Sequence, residues 1–350
     1  MTLIRPDLDT LPAYVPGRAI PGAIKLASNE VCLPPTPPVL AAIAAAAAAG
    51  NRYPDLAVTG LTARLADHLA VDAGRIAIGC GSVTLCQQLV QATCLEPSDE
   101  VVFAWRSFEA YPIVAQIGGA TIRTVALDAD FRHDVDAMAA AVTPHTRLVI
   151  VCSPNNPTGT VVTRDEMERL LAAVGPDVLV ALDEAYYEYV TDPAAVDGMT
   201  LLDAHPNIVV LRTFSKAYRL AALRVGYAVG TPEVVTALRK VCPPFSVSSL
   251  AQAGAIAALD NAADLLAGRA EVLTERIRVR DALLSAGYTV PPTQSNFVWL
   301  ALGDQTAAFS AHCLDNKVIV RPFASDGVRV TVSAPEENDA FLAAAQSYGD

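Results

Sequence analysis

Short apolar runs that alternate with helical stretches are the feature that most constrains the fold of this chain. Strands that are buried on both faces have this texture, because neither face of the sheet meets water. Strands that alternate with helices form mainly parallel sheets. The sequence therefore predicts an α/β fold with a mainly parallel sheet. Seven such runs lie at residues 75–78, 100–104, 120–125, 147–151, 178–182, 207–211 and 225–229.

The pattern changes after about residue 246. Two helical segments extend to residue 286, three strand-like runs follow at 296–302, 317–321 and 328–332, and a last helix begins after Pro335. This order predicts a second, smaller α/β domain. The first 38 residues are rich in proline and predict an extended arm. We therefore expect an arm at 1–38, a large domain at 39–250 and a small domain at 251–350.

Charge and residue usage exclude several classes of protein. The 350 residues suit two domains, and a formal net charge of −12 argues against nucleic acid or an anionic membrane as partner. The five histidines form no HExxH pair and the seven cysteines form no CxxC pair, so neither a zinc site nor a disulfide framework is expected. The N-terminus lacks the apolar core of a signal peptide. We expect a reduced, cytoplasmic protein without a metal.

The residues that follow the predicted strands are candidates for function, because ligands bind at the carboxyl ends of strands in open parallel sheets. Lys216 follows the run at 207–211 and is one of only four lysines. Unlike a guanidinium, its amine can lose a proton and form an imine. An arginine-biased composition accounts for the rarity of lysine but not for its position. Asp183 directly follows the run at 178–182, either as a helix N-cap or as a charge held for a ligand.

Turn motifs with polar groups also follow the predicted strands at 75–78 and 147–151. Glycines before Ser82 precede a helical stretch and predict either a tight turn or a phosphate cradle of backbone N–H groups. The dinucleotide fingerprint would need a glycine where Thr84 stands, and no Walker A loop occurs. The Asn-Asn-Pro-Thr-Gly segment at 155–159 is either a surface turn or a source of side-chain amides. Together with the phenol of Tyr186, these motifs predict a polar cluster along one sheet edge.

On these motifs, the sequence resembles the fold-type I pyridoxal-phosphate aminotransferases of the aspartate aminotransferase superfamily. It is most similar to the histidinol-phosphate and aromatic amino acid aminotransferase group. The resemblance implies an aspartate-aminotransferase-like fold, pyridoxal 5'-phosphate as cofactor, and a homodimer in which the arm packs on the small domain and the partner. The matching motifs span nearly the whole chain, at residues 51–55, 79–83, 155–159, 183–186, 213–218, 224–227, 295–297 and 329–332.

The resemblance also implies roles for individual residues. Lys216 would hold the cofactor aldehyde as an imine and then move the substrate α-proton, while Asp183 would pair with the pyridine nitrogen. Asn156 and Tyr186 would bind the ring hydroxylate, and Phe108 would stack on the ring. The phosphate would be bound by Gly81, Ser82, Val83, Thr213, Ser215 and Arg224, and by Tyr53 reaching across from the neighbouring subunit.

For the substrate, the resemblance implies two arginines and one residue of the arm. Arg329 shares one face of its predicted strand with Thr331, which fits either a solvated face or a grip on a substrate carboxylate. Arg321 matches a second substrate-side arginine of the histidinol-phosphate group, and Asn156 also faces the substrate. Tyr14 would either cover the partner's pocket or pack within the arm.

The sequence departs from the group's pattern at three positions. Arg219 and Ala222 replace glycines of the lysine loop, which predicts a stiffer loop and an Arg219 side chain directed toward the pocket mouth. Val83 stands where histidinol-phosphate enzymes commonly have an acidic residue. We therefore expect transfer of an amino group from phenylalanine, tyrosine or tryptophan to a 2-oxo acid such as 2-oxoglutarate. Histidinol-phosphate aminotransferase is the alternative, and a decarboxylase or β-lyase on the same fold is a third. A regulator that borrows the fold would need an attached DNA-binding domain and a basic surface, which we do not expect in an acidic chain filled by enzyme domains.

Overall fold

The computed structural model describes residues 20–349, together with Arg5, Leu8, Asp9 and Leu11. Tyr14 and most of the predicted N-terminal arm lie outside the described residues. The expectation that Tyr14 covers a pocket therefore stays a prediction.

A seven-stranded sheet forms the centre of the larger part of the molecule. Its strand order is β2-β8-β7-β6-β5-β3-β4. The five adjacent strands β7, β6, β5, β3 and β4 are parallel, whereas β8 runs antiparallel to both of its neighbours. The mainly parallel sheet predicted from the sequence is thus confirmed, and each predicted run matches a strand to within two residues. The strands are β2 (Ile76–Gly79), β3 (Glu100–Trp105), β4 (Thr121–Ala126), β5 (Thr146–Cys152), β6 (Leu179–Asp183), β7 (Ile208–Thr213) and β8 (Gly226–Val229).

Helices cover both faces of this sheet. Successive residues of a strand point to opposite faces, so they pack in two different apolar clusters. In β5, Val149 and Val151 pack in one apolar cluster while Leu148 and Ile150 pack in another on the opposite face. Both faces are therefore dry, as the apolar runs predicted. The helices of this part are α1 (Pro37–Ala47), α2 (Thr59–Leu69), α3 (Ser82–Thr93), α4 (Ala110–Gly118), α5 (Val135–Ala140), α6 (Arg164–Val174), α7 (Pro232–Val241) and α8 (Ser249–Asp260).

The C-terminal part contains a smaller antiparallel sheet of order β11-β12-β9, and its strand β10 forms a separate parallel pair with β1 from near the N-terminus. The single run predicted at 317–321 is divided at Val320, because the chain changes partner there: β10 pairs with β1, whereas β11 pairs with β12. The strands are β1 (Ile24–Lys25), β9 (Phe297–Leu300), β10 (Val318–Ile319), β11 (Arg321–Phe323) and β12 (Gly327–Thr331). The helices are α9 (Ala262–Ala267), α10 (Arg269–Ser285), α11 (Thr306–Asp315) and α12 (Pro335–Gln346). Among the helices described, none is both long and apolar enough to span a membrane.

Candidate active site

Three adjacent parallel strands bring the predicted amide, carboxylate and amine to one edge of the large sheet. Cys152 of β5 lies beside Asp183 of β6, and Asp183 lies beside Leu211 of β7. Asn156 and Lys216 follow the first and last of these strands within five residues. The juxtaposition that the sequence predicted is therefore present in the fold.

Lys216 extends its amine toward two backbone carbonyls. The Nζ atom donates to the carbonyl oxygens of Ser28 at 3.3 Å and Asn29 at 3.2 Å. Burial and the positive charge of Arg329 together lower the pKa of Lys216 to about 7, against the opposing effect of Glu30. A large fraction of the amine is therefore neutral, and hence nucleophilic, near pH 7.

Asp183 is a buried carboxylate with a phenol as its hydrogen-bond donor. The hydroxyl of Tyr111 donates to Asp183 Oδ2 at 2.7 Å, and the amide of Ala185 donates to Oδ1 at 3.1 Å. Burial raises the pKa of Asp183, while these hydrogen bonds lower it. A cationic partner would therefore stabilise the charged form of Asp183, which burial disfavours. Sequence reasoning missed Tyr111, because a fully buried tyrosine on α4 has no sequence signal that separates it from core packing.

A buried network connects Asn156 and Tyr186 to the small sheet. Asn156 Nδ2 donates to the Tyr186 hydroxyl at 3.3 Å, and Arg329 Nη1 donates to Asn156 Oδ1 at 2.6 Å. Asn29 Nδ2 also donates to the Tyr186 hydroxyl, at 2.9 Å. Burial raises the pKa of Tyr186 and keeps its phenol neutral, although Arg329 opposes this effect. Asn29 was missed from the sequence, although the run Ser-Asn-Glu at 28–30 directly follows an apolar segment.

The neighbouring Asn155 holds this loop in place. Its Oδ1 accepts from the Ser107 hydroxyl at 2.7 Å and lies 3.1 Å from His133 Nε2. Burial lowers the pKa of His133 to about 4, so the imidazole is neutral at pH 7. Since an amide oxygen only accepts, Nε2 of His133 has the hydrogen. Asn155 is thus fixed from two sides, which orients the adjacent Asn156.

The N-terminus of α3 forms a concave site beside Arg224. Gly81 has a φ of +81°, and a Cβ atom there would lie 2.5 Å from Arg224 Nη2. Arg224 Nη1 donates to Ser215 Oγ at 3.3 Å, and Thr213 Oγ1 donates to the same oxygen at 3.0 Å. Backbone N–H groups at the start of α3, at Ser82 and Val83, add the positive end of a helix dipole. Glycine is required here, and the assembled donors suit a phosphate-sized anion.

Phe108 and Tyr53 occupy different surroundings. The ring of Phe108 packs edge-on against Tyr111, with centroids 5.5 Å apart, and therefore lies one residue away from Asp183. Tyr53 is 82% exposed, and its ring stacks on Phe245 rather than on a ring of this cluster. Within one chain, the structure thus brings Phe108 to the site and leaves Tyr53 at the surface.

The two predicted substrate arginines are cross-strand partners. Arg329 of β12 lies opposite Arg321 of β11. Arg329 is buried, and its Nη2 donates to the carbonyl of Ala27 at 2.7 Å in addition to its bond with Asn156. Arg321 Nη2 lies 2.8 Å from Glu109 Oε2. Both arginines are therefore at the site, but Arg321 is paired with a carboxylate that the sequence did not predict.

Residues 21–345 match the sequence profile of the family described as aminotransferase class I and II. The chain belongs to this family. It is an aminotransferase, and the resemblance inferred from its motifs is confirmed.

Individual relatives agree with this assignment. An aromatic amino acid aminotransferase of Rhodococcus jostii is 60% identical over 98% of this chain and 95% of its own length. One of Mycolicibacterium smegmatis is 56% identical over 99% of this chain and 95% of its own length. Among solved structures, a histidinol-phosphate aminotransferase of Sinorhizobium meliloti in complex with pyridoxal-5'-phosphate aligns with a TM-score of 0.89 and 29% identity, over 99% of this chain and 97% of that one. A Thermus thermophilus aspartate aminotransferase variant complexed with tryptophan aligns with a TM-score of 0.82 and 24% identity, over 93% and 91%, which shows the shared fold.

In the lysine loop of this aminotransferase, Arg219 is bound to two backbone carbonyls. Arg219 has a φ of 61°, and its guanidinium donates to the carbonyls of Pro34 at 3.2 Å and Leu265 at 3.1 Å. These bonds tie the loop to α9, so the expectation that Arg219 points toward the pocket mouth gains no support. Ala222 lies in a short 3-10 turn, Ala221–Leu223, just before Arg224. Within the described part of the aminotransferase, no group of His, Cys, Asp and Glu side chains could hold a metal ion.

Proposed function

We propose that this aminotransferase moves the amino group of an aromatic amino acid to a 2-oxo acid such as 2-oxoglutarate, with pyridoxal 5'-phosphate as cofactor. The observation that supports amino transfer is the partly neutral amine of Lys216, which lies within the field of Arg329 and follows the strand next to the one that ends at Asp183. Phenylalanine, tyrosine and tryptophan are the expected donors, since relatives of 55–60% identity are named aromatic amino acid aminotransferases. Val83 is consistent with this preference.

The residues present fit pyridoxal phosphate. When bound, the cofactor supplies an aldehyde for an amine and a pyridine ring that accepts electrons. The donors at Gly81, Ser82, Val83, Thr213, Ser215 and Arg224 suit its phosphate. Asp183, buried and short of a cation, suits a protonated ring nitrogen. Asn156 and Tyr186 would bind the ring hydroxyl, and Phe108 would contact the ring face.

The protein's own groups divide the work of the reaction. With substrate and cofactor bound, Lys216 Nζ would take the proton from the substrate α-carbon and deliver it to the cofactor carbon that the amine has joined, which a pKa near 7 favours. Asp183 holds its charge near the ring with the help of Tyr111. Arg329 exchanges its bonds to Asn156 and Ala27 for a bidentate grip on the substrate carboxylate. Tyr186, whose hydroxyl accepts a hydrogen bond from Asn29, orients the side-chain amide of Asn156.

We further propose a cytoplasmic homodimer in which Tyr53 reaches the phosphate of the neighbouring subunit. Tyr53, Leu56 and Phe245 are exposed apolar side chains close in the fold, and such a patch typically marks an interface. The seven cysteines are free thiols, as is typical of a reducing compartment. A dimer by light scattering that Tyr53→Arg converts to monomer supports this proposal. A monomeric wild-type protein contradicts it.

The predicted three-part division of the chain is also a proposal. The pairing of β1 with β10 supports an arm that packs on the small domain. Helix α8 contributes Ala251, Ala255 and Leu259 to a core of the large sheet, which favours a domain boundary after α8 rather than at residue 251.

Half-reactions on the purified holoenzyme test the proposed substrate. Phenylalanine should convert the cofactor from its aldehyde to its amine form at least about tenfold more efficiently than histidinol phosphate, as measured by absorbance. The reverse preference would establish the alternative that the structural neighbour from Sinorhizobium meliloti suggests. Release of carbon dioxide or ammonia without consumption of a 2-oxo acid would instead indicate a decarboxylase or lyase.

A further inference from the structure

Three guanidinium groups surround the ring of Phe323 at the edge of the small sheet. The Cζ atoms of Arg106, Arg321 and Arg329 lie 5.8, 5.8 and 5.5 Å from the ring centroid. Three cations around one apolar ring repel one another unless anions are present. The carboxylates near this ring therefore determine how much positive charge the site offers to a ligand.

Two of these arginines are paired with carboxylates from the opposite part of the molecule. Arg106 of the large part is bound to Asp326 of the β11–β12 hairpin. In the second pair the arginine is on the hairpin: Arg321 is bound to Glu109 of the large part, with 2.8 Å between Nη2 and Oε2. The Arg321 side chain is 15% exposed and that of Glu109 is 30% exposed. Solvent therefore screens this pair less than a surface ion pair.

The position of Glu109 in the fold favours its negative charge beside Arg321. It stands at the N-terminus of α4, where the helix dipole favours a negative charge. It also directly follows Phe108, whose ring contacts the tyrosine that binds Asp183. The Glu109–Arg321 pair thus lies at the border of the active site, and Arg321 is the cross-strand partner of Arg329.

We propose that Glu109 is a specificity-determining residue, which neutralises Arg321 so that the site accepts a carboxylate and disfavours a phosphate ester in the same position. This proposal rests on the proposed function, because it concerns the anion that Arg329 binds. It predicts that the amino acid is selected by charge at the carboxylate end, in addition to any selection of the aromatic ring.

The charge count explains the selection. Cross-strand partners have their Cβ atoms about 5 Å apart, so the guanidinium groups of Arg321 and Arg329 can reach one anion together. An amino acid presents a carboxylate of charge −1, which one guanidinium matches. Histidinol phosphate presents a phosphate monoester of about −1.5 to −2 on the corresponding carbon, which two guanidinium groups match. Glu109, Arg321 and Arg329 together have a net charge of about +1, which suits the carboxylate.

The test compares holoenzyme variants in single-turnover half-reactions followed by cofactor absorbance. Glu109→Gln should lower the dissociation constant for histidinol phosphate by about tenfold or more, since a hydrogen bond to a charged group contributes roughly that factor. The dissociation constant for phenylalanine should change by less than about threefold. Asp326→Asn is the matched control, because it removes the carboxylate bound to Arg106 at the same ring and leaves Glu109 bound to Arg321, and it should leave the ratio of the two constants unchanged.

A double variant excludes a merely structural effect. Glu109→Gln combined with Arg321→Gln should lose the gain for histidinol phosphate, because the guanidinium whose charge Glu109 offsets is no longer present. Glu109→Asp, which keeps the negative charge, should retain the wild-type ratio. An unchanged ratio in Glu109→Gln, an equal change in Asp326→Asn, or a gain that survives in the double variant each overturns the proposal. The variant-to-wild-type ratio decides this question, whereas a wild-type preference for histidinol phosphate would overturn the proposed function.

Discussion

The two sides of the active site are built in different ways. On the cofactor side, Asn156, Asp183 and Lys216 follow three neighbouring parallel strands of one sheet. On the substrate side, Arg329 lies within an antiparallel strand of a second sheet, and Asn29 follows a strand of only two residues. The first arrangement arises from one topological rule, whereas the second depends on how separate parts of the chain pack together.

The two sides also differ in the kind of charge they hold. Burial lowers the pKa of Lys216 to about 7 and raises the pKa of Asp183, so burial disfavours the charged form of both cofactor-side groups. The substrate side instead uses guanidinium groups, which stay charged at every accessible pH. We infer that proton transfer and the binding of the substrate carboxylate are separated in space, and the following predictions test this division.

The largest effect is expected for Lys216→Ala. Loss of the amine that forms the covalent bond and moves the proton should lower turnover by at least about 1,000-fold. The cofactor should still bind loosely through the cradle at α3. Steady-state rates with phenylalanine measure the loss, and Lys240→Ala on α7 is the matched control that should keep full activity. A Lys216→Ala variant with wild-type turnover would remove the basis of the cofactor side.

Arg329→Lys should lower kcat/KM for phenylalanine by about 100-fold. The substitution keeps the positive charge but loses the bidentate geometry, and a second hydrogen bond to a charged group contributes about 1.5–3 kcal/mol. Because the lost interaction is mainly substrate binding, KM should rise more than kcat falls, while the cofactor spectrum stays unchanged. A fall in kcat with an unchanged KM would instead assign Arg329 to the cofactor side.

The rate at which the cofactor-free protein bonds covalently to added cofactor should depend on pH. The pKa of Lys216 is lowered, so its amine is protonated and unreactive below about pH 7 and neutral above it. The rate should therefore fall by up to about tenfold per pH unit below 7 and level off above it, as measured by stopped-flow absorbance. Arg329→Gln should move this midpoint to higher pH, since the charge of Arg329 contributes to the shift. A rate that keeps rising to pH 10 in the wild type contradicts the lowered pKa.

The smallest effect is expected for Arg219→Gly, in the loop that contains Lys216. Glycine relieves a left-handed conformation that costs an arginine about 1 kcal/mol. It also removes two hydrogen bonds to Pro34 and Leu265 and increases the entropy of the unfolded chain. We expect a net loss of about 1 kcal/mol in the free energy of unfolding, measured in urea. A more stable variant would mean that strain outweighs these bonds.

The sequence predicts the cofactor side well, because strand ends are visible in it. Apolar runs locate β5, β6 and β7, and the polar residues after each run then fall at one edge. Tyr111 and Asn29 escaped prediction for a physical reason: a buried phenol on a helix and a polar residue after a two-residue strand have no periodic signal. The pairing of Arg321 with Glu109 joins residues far apart in the chain, so only the packed structure reveals it. The division of the run at 317–321 has the same origin, since it depends on which partner strand each half meets.

The most direct test of the account is to identify the lysine that bonds to the cofactor. The holoenzyme would be reduced with borohydride, digested, and analysed by mass spectrometry for peptides that have gained the mass of the reduced cofactor. The chain has only four lysines, at 25, 216, 240 and 317, so the assignment is unambiguous. The account predicts the label on Lys216 alone, at one per chain. A label on any other lysine, or no stable label with bound cofactor, would contradict it.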